Sequence, residues 1–539
     1  MRASRILTVA LALLLGVPAL PGLPALPGLP ALTASAAGYP ARESRYHDYA
    51  ETYRLLRSIQ AEHPDIVRVF RIGRSYQGRG IWAAEVSDNP GQDEGEPEVM
   101  FDGLHHAREH LTVEMSLYVL RMLVAHYGQD TDLGRRVTRL VDGRRIWIIP
   151  MVNPDGLQYD LSGDPFRQWR KNRQPNGAGR PIGTDLNRNY DYAWAKAPTN
   201  PASENYRGKR PFSAPETRAI RDFVLSRRVG GRQRIVTHIS FHTAGEYVLW
   251  PYGHTYADVP PDMTKVDQRT FAAMGRDMAN TNGYRARQSS DMYPTYGDEI
   301  DWLYGTQRIF SFTFEMYPRA GSSRQHVPDE KVARETKRNR EAVLYLMDMA
   351  ACPYAAIGKR DAYCGPMYDD LEVARGWKVD PDGDDTTRAG AWSRGVPAKS
   401  TYQLKGATSG RSVLATGRAK GRDVDHGRTT VRSRAIRLPD DATATVRLRY
   451  WVGMSSAADA DDRFRVRIVD PSDGSVLATA LAIDGDGRRH TPTWRSLSYQ
   501  IPAELRGARV AIELVAVDAG RDATVEAGVD DVRITVVAD

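Results

Sequence analysis

The stretch GLHHAREHLT, residues 103–112, places His105, His106, Glu109 and His110 within six positions, a density of metal-capable groups that an ordinary surface turn does not need. Two metal templates fit it. In His-x-x-Glu, His106 and Glu109 are both ligands and a third lies far away in sequence. In the inverted pattern His-x-x-Glu-His, His106 and His110 are the ligands and Glu109 is the base. The ten residues alone do not choose. Further along, His242 closes the apolar run RIVTHISFH, at a predicted strand end where a side chain can enter a cleft. With His106 and Glu109 it would complete a site of two histidines and one carboxylate, which leaves a fourth metal position open, as hydrolysis requires.

Elements able to position such a site run from about Tyr46 to Ala351, where strand-like apolar runs alternate with helical patterns and predict an α/β domain, a mixed twisted sheet flanked by helices. EVMFDGL, from Glu98, reads as a buried strand. HLTVEMSLYVLRMLVAHY, from His110, reads as a long and mostly buried helix. RRIWIIPMVNPDG reads as a strand running into an Asn-Pro-Asp-Gly turn. Ser213 and Glu216 offer a capping box for a further helix.

Seven segments appear here in a fixed order: HAREHLT, NPDG, WRKNR, DLNRN, SFHT, Tyr293 with the following IDW, and SFTFE. In these the chain resembles the zinc carboxypeptidases of the carboxypeptidase A/B superfamily, especially the bacterial carboxypeptidase T type. The resemblance implies a metallocarboxypeptidase with one zinc ion held by His106, Glu109 and His242, the His-x-x-Glu assignment, which makes His110 a helix-start neighbour. It implies Asp185 as the acid behind a ligand histidine, Glu315 as the general base and Arg170 as the oxyanion donor. Asn187, Arg188 and Tyr293 match the clamp on the substrate's terminal carboxylate, and Arg108 a subsite further along the peptide. Ile300 matches a specificity position that is apolar in members cutting after hydrophobic residues, while Asp298 is an acid that the carboxypeptidase T type also carries. Together they imply release of large apolar and basic C-terminal residues. His105 and His238 read as structural neighbours, and His254 and His326 have no motif context.

The remaining features set the context. At 539 residues the chain is too long for one core, and its N-terminus reads as an export signal over residues 1–36, with Arg2 and Arg5 before the apolar run Ile6–Leu15 and a small-x-small site at Ala34–Ala36. Cleavage there would release a secreted protein with no membrane anchor and no room for a folded prosegment before the catalytic region, taken as residues 37–351. The net charge of +7 is small for this length and forms no dense basic run, so nucleic acid is not an expected partner. The two cysteines, Cys352 and Cys364, predict a disulfide-closed linker over residues 352–365. Such a loop is worth about 3 kcal/mol.

After it, short alternating segments such as TATVRLRYWV, RFRVRIV and VAIELVAV predict an all-β sandwich or jelly roll over residues 366–539. This region loosely resembles accessory domains of secreted bacterial hydrolases. Asp380, Asp382, Asp384 and Asp385, with Asp530 and Asp531, read either as a calcium site or as solvated acidic turns. The expected substrate is a peptide or protein C-terminus, and the expected state a monomer. A cell-wall peptide carboxypeptidase and a catalytically silent C-terminus-binding protein are the rival readings.

Overall fold

The computed structural model describes residues 38–94, 96–229, 232–321, 326–372, 374–408, 411–418, 423–440, 442–519 and 523–538. The expected export signal lies outside these residues. Eight strands form one mixed sheet: β1 (Val67–Arg74), β2 (Gly80–Val86), β3 (Glu98–Gly103), β4 (Arg145–Ile149), β7 (Ile235–Gly245), β8 (Tyr247–Trp250), β9 (Arg285–Gln288) and β10 (Phe310–Arg319). A separate two-stranded ribbon, β5 (Arg228–Val229) and β6 (Arg232–Gln233), stands outside it. The sheet order is β1-β2-β4-β3-β7-β10-β8-β9. Its centre is parallel, with β3 between β4 and β7, and β7 beside β10.

A central parallel sheet is covered on both faces, which is why β3 and β4 are buried along their whole length. On one face Val99, Phe101, Ile239, Phe241, Phe312 and Phe314 join a core with helices α2 (Leu111–His126), α6 (Lys265–Asn282) and α9 (Arg340–Met349). Helices α1 (Tyr49–Glu62), α3 (Asp132–Asp142) and α8 (Asp329–Lys337) add Leu56, Val137 and Val332 to the same core. On the other face, Met100 and Trp147 pack with helices α5 (Pro215–Ser226) and α7 (Glu299–Gln307). Strand alternation therefore turns His242 and Glu315 away from the phenylalanine face, and the register sets their Cα atoms directly opposite each other. In open α/β sheets ligands bind beyond the carboxyl ends of parallel strands, and these two residues lie near those ends.

Two local expectations differ from the structure. The NPDG segment is not a free turn but the start of helix α4 (Pro154–Asp160), with the Asn153 side chain accepting from Gly156 N and Pro154 at the first helical position. The same residues that favour a turn also cap a helix. The Ser213/Glu216 capping box does not form. Helix α5 starts one residue later than that pattern needs, with Ala214 at its cap, and Glu216 turns to accept from Tyr76 N and Asn172 Nδ2.

Beyond the disulfide Cys352–Cys364 the chain builds two six-stranded antiparallel sheets. One is centred on Ala442–Met454 and Val525–Ala538, the other on Arg463–Val469 and Arg509–Asp518, and residues of both contribute to a single core. The alternation of Ala442, Ala444, Val446, Leu448 and Tyr450 inward is the pattern visible in sequence. Of the two readings of the acidic residues in this region, the calcium site is not supported. Asp382 pairs with Arg432, Asp384 with Arg428, and Asp385 accepts from Thr430, all beside one sheet. Asp530 and Asp531 belong to the other sheet, where Asp530 accepts from Thr408.

At the junction, Arg308 caps the C-terminus of α7 in the left-handed conformation at φ 58°. Its side chain is 6% exposed, with Asp370 at 3.6 Å and Glu372 at 3.7 Å. Among the described residues no helix is long and apolar enough to cross a membrane.

Candidate active site

The chain leaves β3 through Leu104, which holds φ 60° while its N–H is accepted by Thr112 Oγ1 at 2.9 Å. That turn sends the next two side chains in different directions. His105 enters the protein interior, bonded to Tyr190 Oη at 2.8 Å, and His106 faces the cleft. A tight turn, Glu109 N to His106 O at 3.1 Å, brings Glu109 to the same side as His106.

His106 Nδ1 lies 2.7 Å from Glu109 Oε1, His242 Nδ1 lies 2.9 Å from Glu109 Oε2, and the two Nδ1 atoms are 3.1 Å apart. Two imidazole nitrogens and a carboxylate thus converge within 3.1 Å of one another, as the ligands of a shared cation do. The donor set of two nitrogens and one carboxylate fits zinc with a fourth position open. Burial alone would raise the Glu109 pKa, but the adjoining His106 and His242 hold it well below the usual carboxylate range. His110 is not part of this convergence. It points to Asp160 Oδ2 at 2.9 Å, at the start of α2.

Asp185 links this convergent set to a guanidinium. Oδ1 accepts from His106 Nε2 at 3.1 Å and from Asn187 N at 2.9 Å, while Oδ2 accepts from Arg170 Nε and Nη2 at 3.0 and 2.9 Å. Despite complete burial, the Arg170 charge and then His106 keep its pKa well below the ordinary value. Arg170 Nη1 is also 3.9 Å from Glu109 Oε1. Glu315 reaches the same cleft from β10; burial, with Glu109 adding repulsion, pushes its pKa up to about 8.

His106, Glu109, Arg170 and Glu315 line a cleft of about 340 Å³ together with Arg108, Asn187, Arg188, Tyr293 and Asp298, while His242 and Asp185 are not among its lining residues. Arg188 is 5% exposed and its Nη1 donates to Asn187 O at 2.6 Å; it makes no ion pair among the described residues. Asn187 is fixed from below, its Oδ1 accepting from Glu299 N at 2.9 Å. Tyr293 is 51% exposed at the cleft wall. Asp298 caps α7, accepting from Asp301 N at 3.0 Å and from the Thr295 hydroxyl, and burial followed by Asp301 raises its pKa to about 7. Ile300 is buried but is not among the cleft-lining side chains.

A family profile for Peptidase_M14, zinc carboxypeptidase, matches residues 52–342. The chain belongs to the zinc carboxypeptidase family. A zinc carboxypeptidase of Saccharothrix mutabilis subsp. capreolus is 43% identical over 323 residues, 60% of this chain and 73% of that protein. Carboxypeptidase A1 of Rattus norvegicus is 32% identical over 276 residues, 50% of this chain and 62% of that protein. The crystal structure of carboxypeptidase A from Helicoverpa armigera, 26% identical, covers 58% of this chain and 75% of its own with a TM-score of 0.50. As a zinc carboxypeptidase the chain is a metal-dependent peptide hydrolase.

Motif spacing brings out the zinc carboxypeptidase residues but not the rest of the cleft. Glu204, Leu249, Ser289, Met292, Thr295 and Thr313 also line it. Apart from Thr313, which lies within SFTFE, none sits in a segment whose spacing signals chemistry. A buried network of Asp102, His238, Ser240 and Ser311 lies beneath the site. Within it His238 Nε2 lies 2.7 Å from Asp102 Oδ2 and Ser240 Oγ donates to Asp102 Oδ1 at 2.7 Å, and it joins Glu299 and, at 3.5 Å from Asp102, His105.

Proposed function

We propose that this zinc carboxypeptidase is secreted, that His106, Glu109 and His242 hold its metal, and that it hydrolyses the final peptide bond of peptides and proteins. The observation that carries the exopeptidase reading is Arg188, a guanidinium almost entirely withdrawn from water, beside the metal-ligating set, with no ion-pair partner of its own among the described residues. A buried guanidinium that no carboxylate bonds directly is costly, and its plane fits a carboxylate through two parallel hydrogen bonds. The terminal carboxylate of a peptide supplies that anion; an internal segment of chain does not.

When bound, zinc supplies Lewis acidity to the scissile carbonyl and to water. Glu315, a carboxylate in the same cleft, takes a proton from the attacking water and passes it to the departing amine. Arg170, held by Asp185, donates to the oxygen on which negative charge develops. A positioned donor of this kind is typically worth about 3–4 kcal/mol of barrier. Asn187 and Arg188 grip the carboxylate, and the exposed Tyr293 closes over it.

A preference for large apolar and basic terminal residues is supported by the mixture of Leu249 and Met292 with Asp298 along the cleft. Export is supported by the Arg2 to Leu15 leader pattern and the cleavage-like Ala34–Ala36. The test is one peptide presented with a free and with an amidated C-terminus. Only the free form should be hydrolysed, and equal cleavage of both would overturn the reading. Release of Phe, Arg and Glu from matched peptides tests the preference, which fails if Glu leaves fastest.

A further inference from the structure

At one side of the cleft Arg108 does not face the substrate space alone. Its Nη1 and Nη2 donate to the two oxygens of Glu204 at 3.0 and 3.1 Å, and Nη1 also donates to Gln168 O at 3.1 Å. Arg108 is thereby largely covered, with 16% of its side chain exposed, while the Glu204 side chain is 60% exposed. Both residues line the cleft that holds His106, Glu109, Arg170 and Glu315. None of the clamp residues Asn187, Arg188 and Tyr293 bonds to Arg108, so this pair stands apart from the terminal-carboxylate grip. A carboxylate has about four acceptor positions, and the guanidinium fork occupies two. The charge that a passing peptide meets at this wall is thus the outer edge of Glu204, not the guanidinium behind it.

We propose that Glu204 is a specificity-determining residue that makes the cleft favour lysine or arginine, and disfavour glutamate or aspartate, in the residues preceding the scissile bond. The inference rests on the carboxypeptidase reading and adds to it a preference on the side of the peptide that remains after hydrolysis. Neutralising Glu204 removes the negative charge and flattens the preference, and a positive charge at 204 reverses it.

The experiment compares blocked tripeptides Xaa-Xaa-Phe, with Xaa as Lys, Ala or Glu, hydrolysed by the zinc-loaded full chain and by its E204Q and E204K variants. Exposed ion pairs are worth up to about 1 kcal/mol, so each like or opposite charge should change kcat/KM by roughly three- to fivefold. The difference should sit in KM, as expected for an interaction made equally in ground and transition states, and should shrink as salt is raised. Wild type should rank Lys above Ala above Glu, E204Q should compress the series, and E204K should invert it. If Glu204 only braces Arg108, the ranking will be absent in wild type or the same in all three proteins, and the inference is overturned. Failure of the wild type to release Phe from any of the three peptides overturns the carboxypeptidase reading itself, and the inference with it.

Discussion

Asp185 Oδ1 accepts a hydrogen bond from His106 Nε2 at 3.1 Å, which leaves the Nδ1 lone pair of that ring directed at Glu109 and His242. The carboxylate thus selects the tautomer that can bind metal. Asp185→Asn should lower zinc affinity by about 10- to 100-fold, in the range found when such supporting partners are removed. Competition against a chelator measures it. Unchanged affinity would show that the ring is oriented by packing alone.

The metal assignment separates two histidines that the motif offers equally. His242→Ala should yield folded protein with little bound zinc, because one of three converging donors is lost. His110→Ala should retain about one zinc per chain, since the imidazole it removes is bonded to Asp160 and not to the ligand set. Metal analysis of the two purified variants checks both, and the reverse pattern would reinstate the inverted template.

Removal of the Arg188 guanidinium should act on terminal recognition more than on chemistry. Losing one member of a buried, hydrogen-bonded charge pair costs about 2–5 kcal/mol, so Arg188→Gln should reduce kcat/KM on free-ended peptides at least about 30-fold. The residual rate should no longer distinguish a free from an amidated terminus. A variant that keeps that discrimination would assign the grip to another residue.

In the β assembly, Glu526 provides a prediction about stability and pH. Its Oε2 accepts from Thr416 Oγ1 at 2.8 Å and from Gln403 Nε2 at 3.3 Å, and burial, with Asp423 adding to it, pushes its pKa from 4.5 to about 8. The folded state therefore binds this proton more tightly than the unfolded chain. Its stabilising contribution is complete below pH 4.5 and is lost progressively as pH rises to about 8. A tenfold difference in proton affinity between the folded and unfolded chain is worth about 1.4 kcal/mol. Glu526→Gln, which cannot ionise, should lose less stability than wild type between pH 5 and pH 8 in denaturant unfolding. The same loss in both proteins would place the titration elsewhere.

What the sequence discloses and what it hides follow from chain distance. His106 and Glu109 are one turn apart, so their spacing alone carries geometry. His242 is accessible because a polar residue at the end of an apolar strand is conspicuous, and the C-terminal sandwich because inward alternation is written directly into strands such as Ala442–Met454. Glu204 and Glu299 leave no such mark. Glu204 lies in an irregular segment, and Glu299 acts on Asn187 through its backbone N–H, a group every residue but proline possesses. The NPDG segment is ambiguous for a chemical reason: one asparagine oxygen accepts the same local N–H in an Asx turn and at a helix cap. The acidic residues suggest a cation, but the arginines that neutralise Asp382 and Asp384, Arg432 and Arg428, are more than forty positions away in the chain.

Helix α7 has one end in the substrate cleft, at Asp298, and the other at Arg308, whose nearest acids, Asp370 and Glu372, come from beyond the disulfide. Proteolytic loss of the C-terminal sheets would take Asp370 and Glu372 away from that guanidinium and leave it to Asp267 and Asp262, at the foot of a helix whose opposite tip borders the groove. Asp370 and Glu372 thus fasten the C-terminal sheets to the base of the groove's own helix.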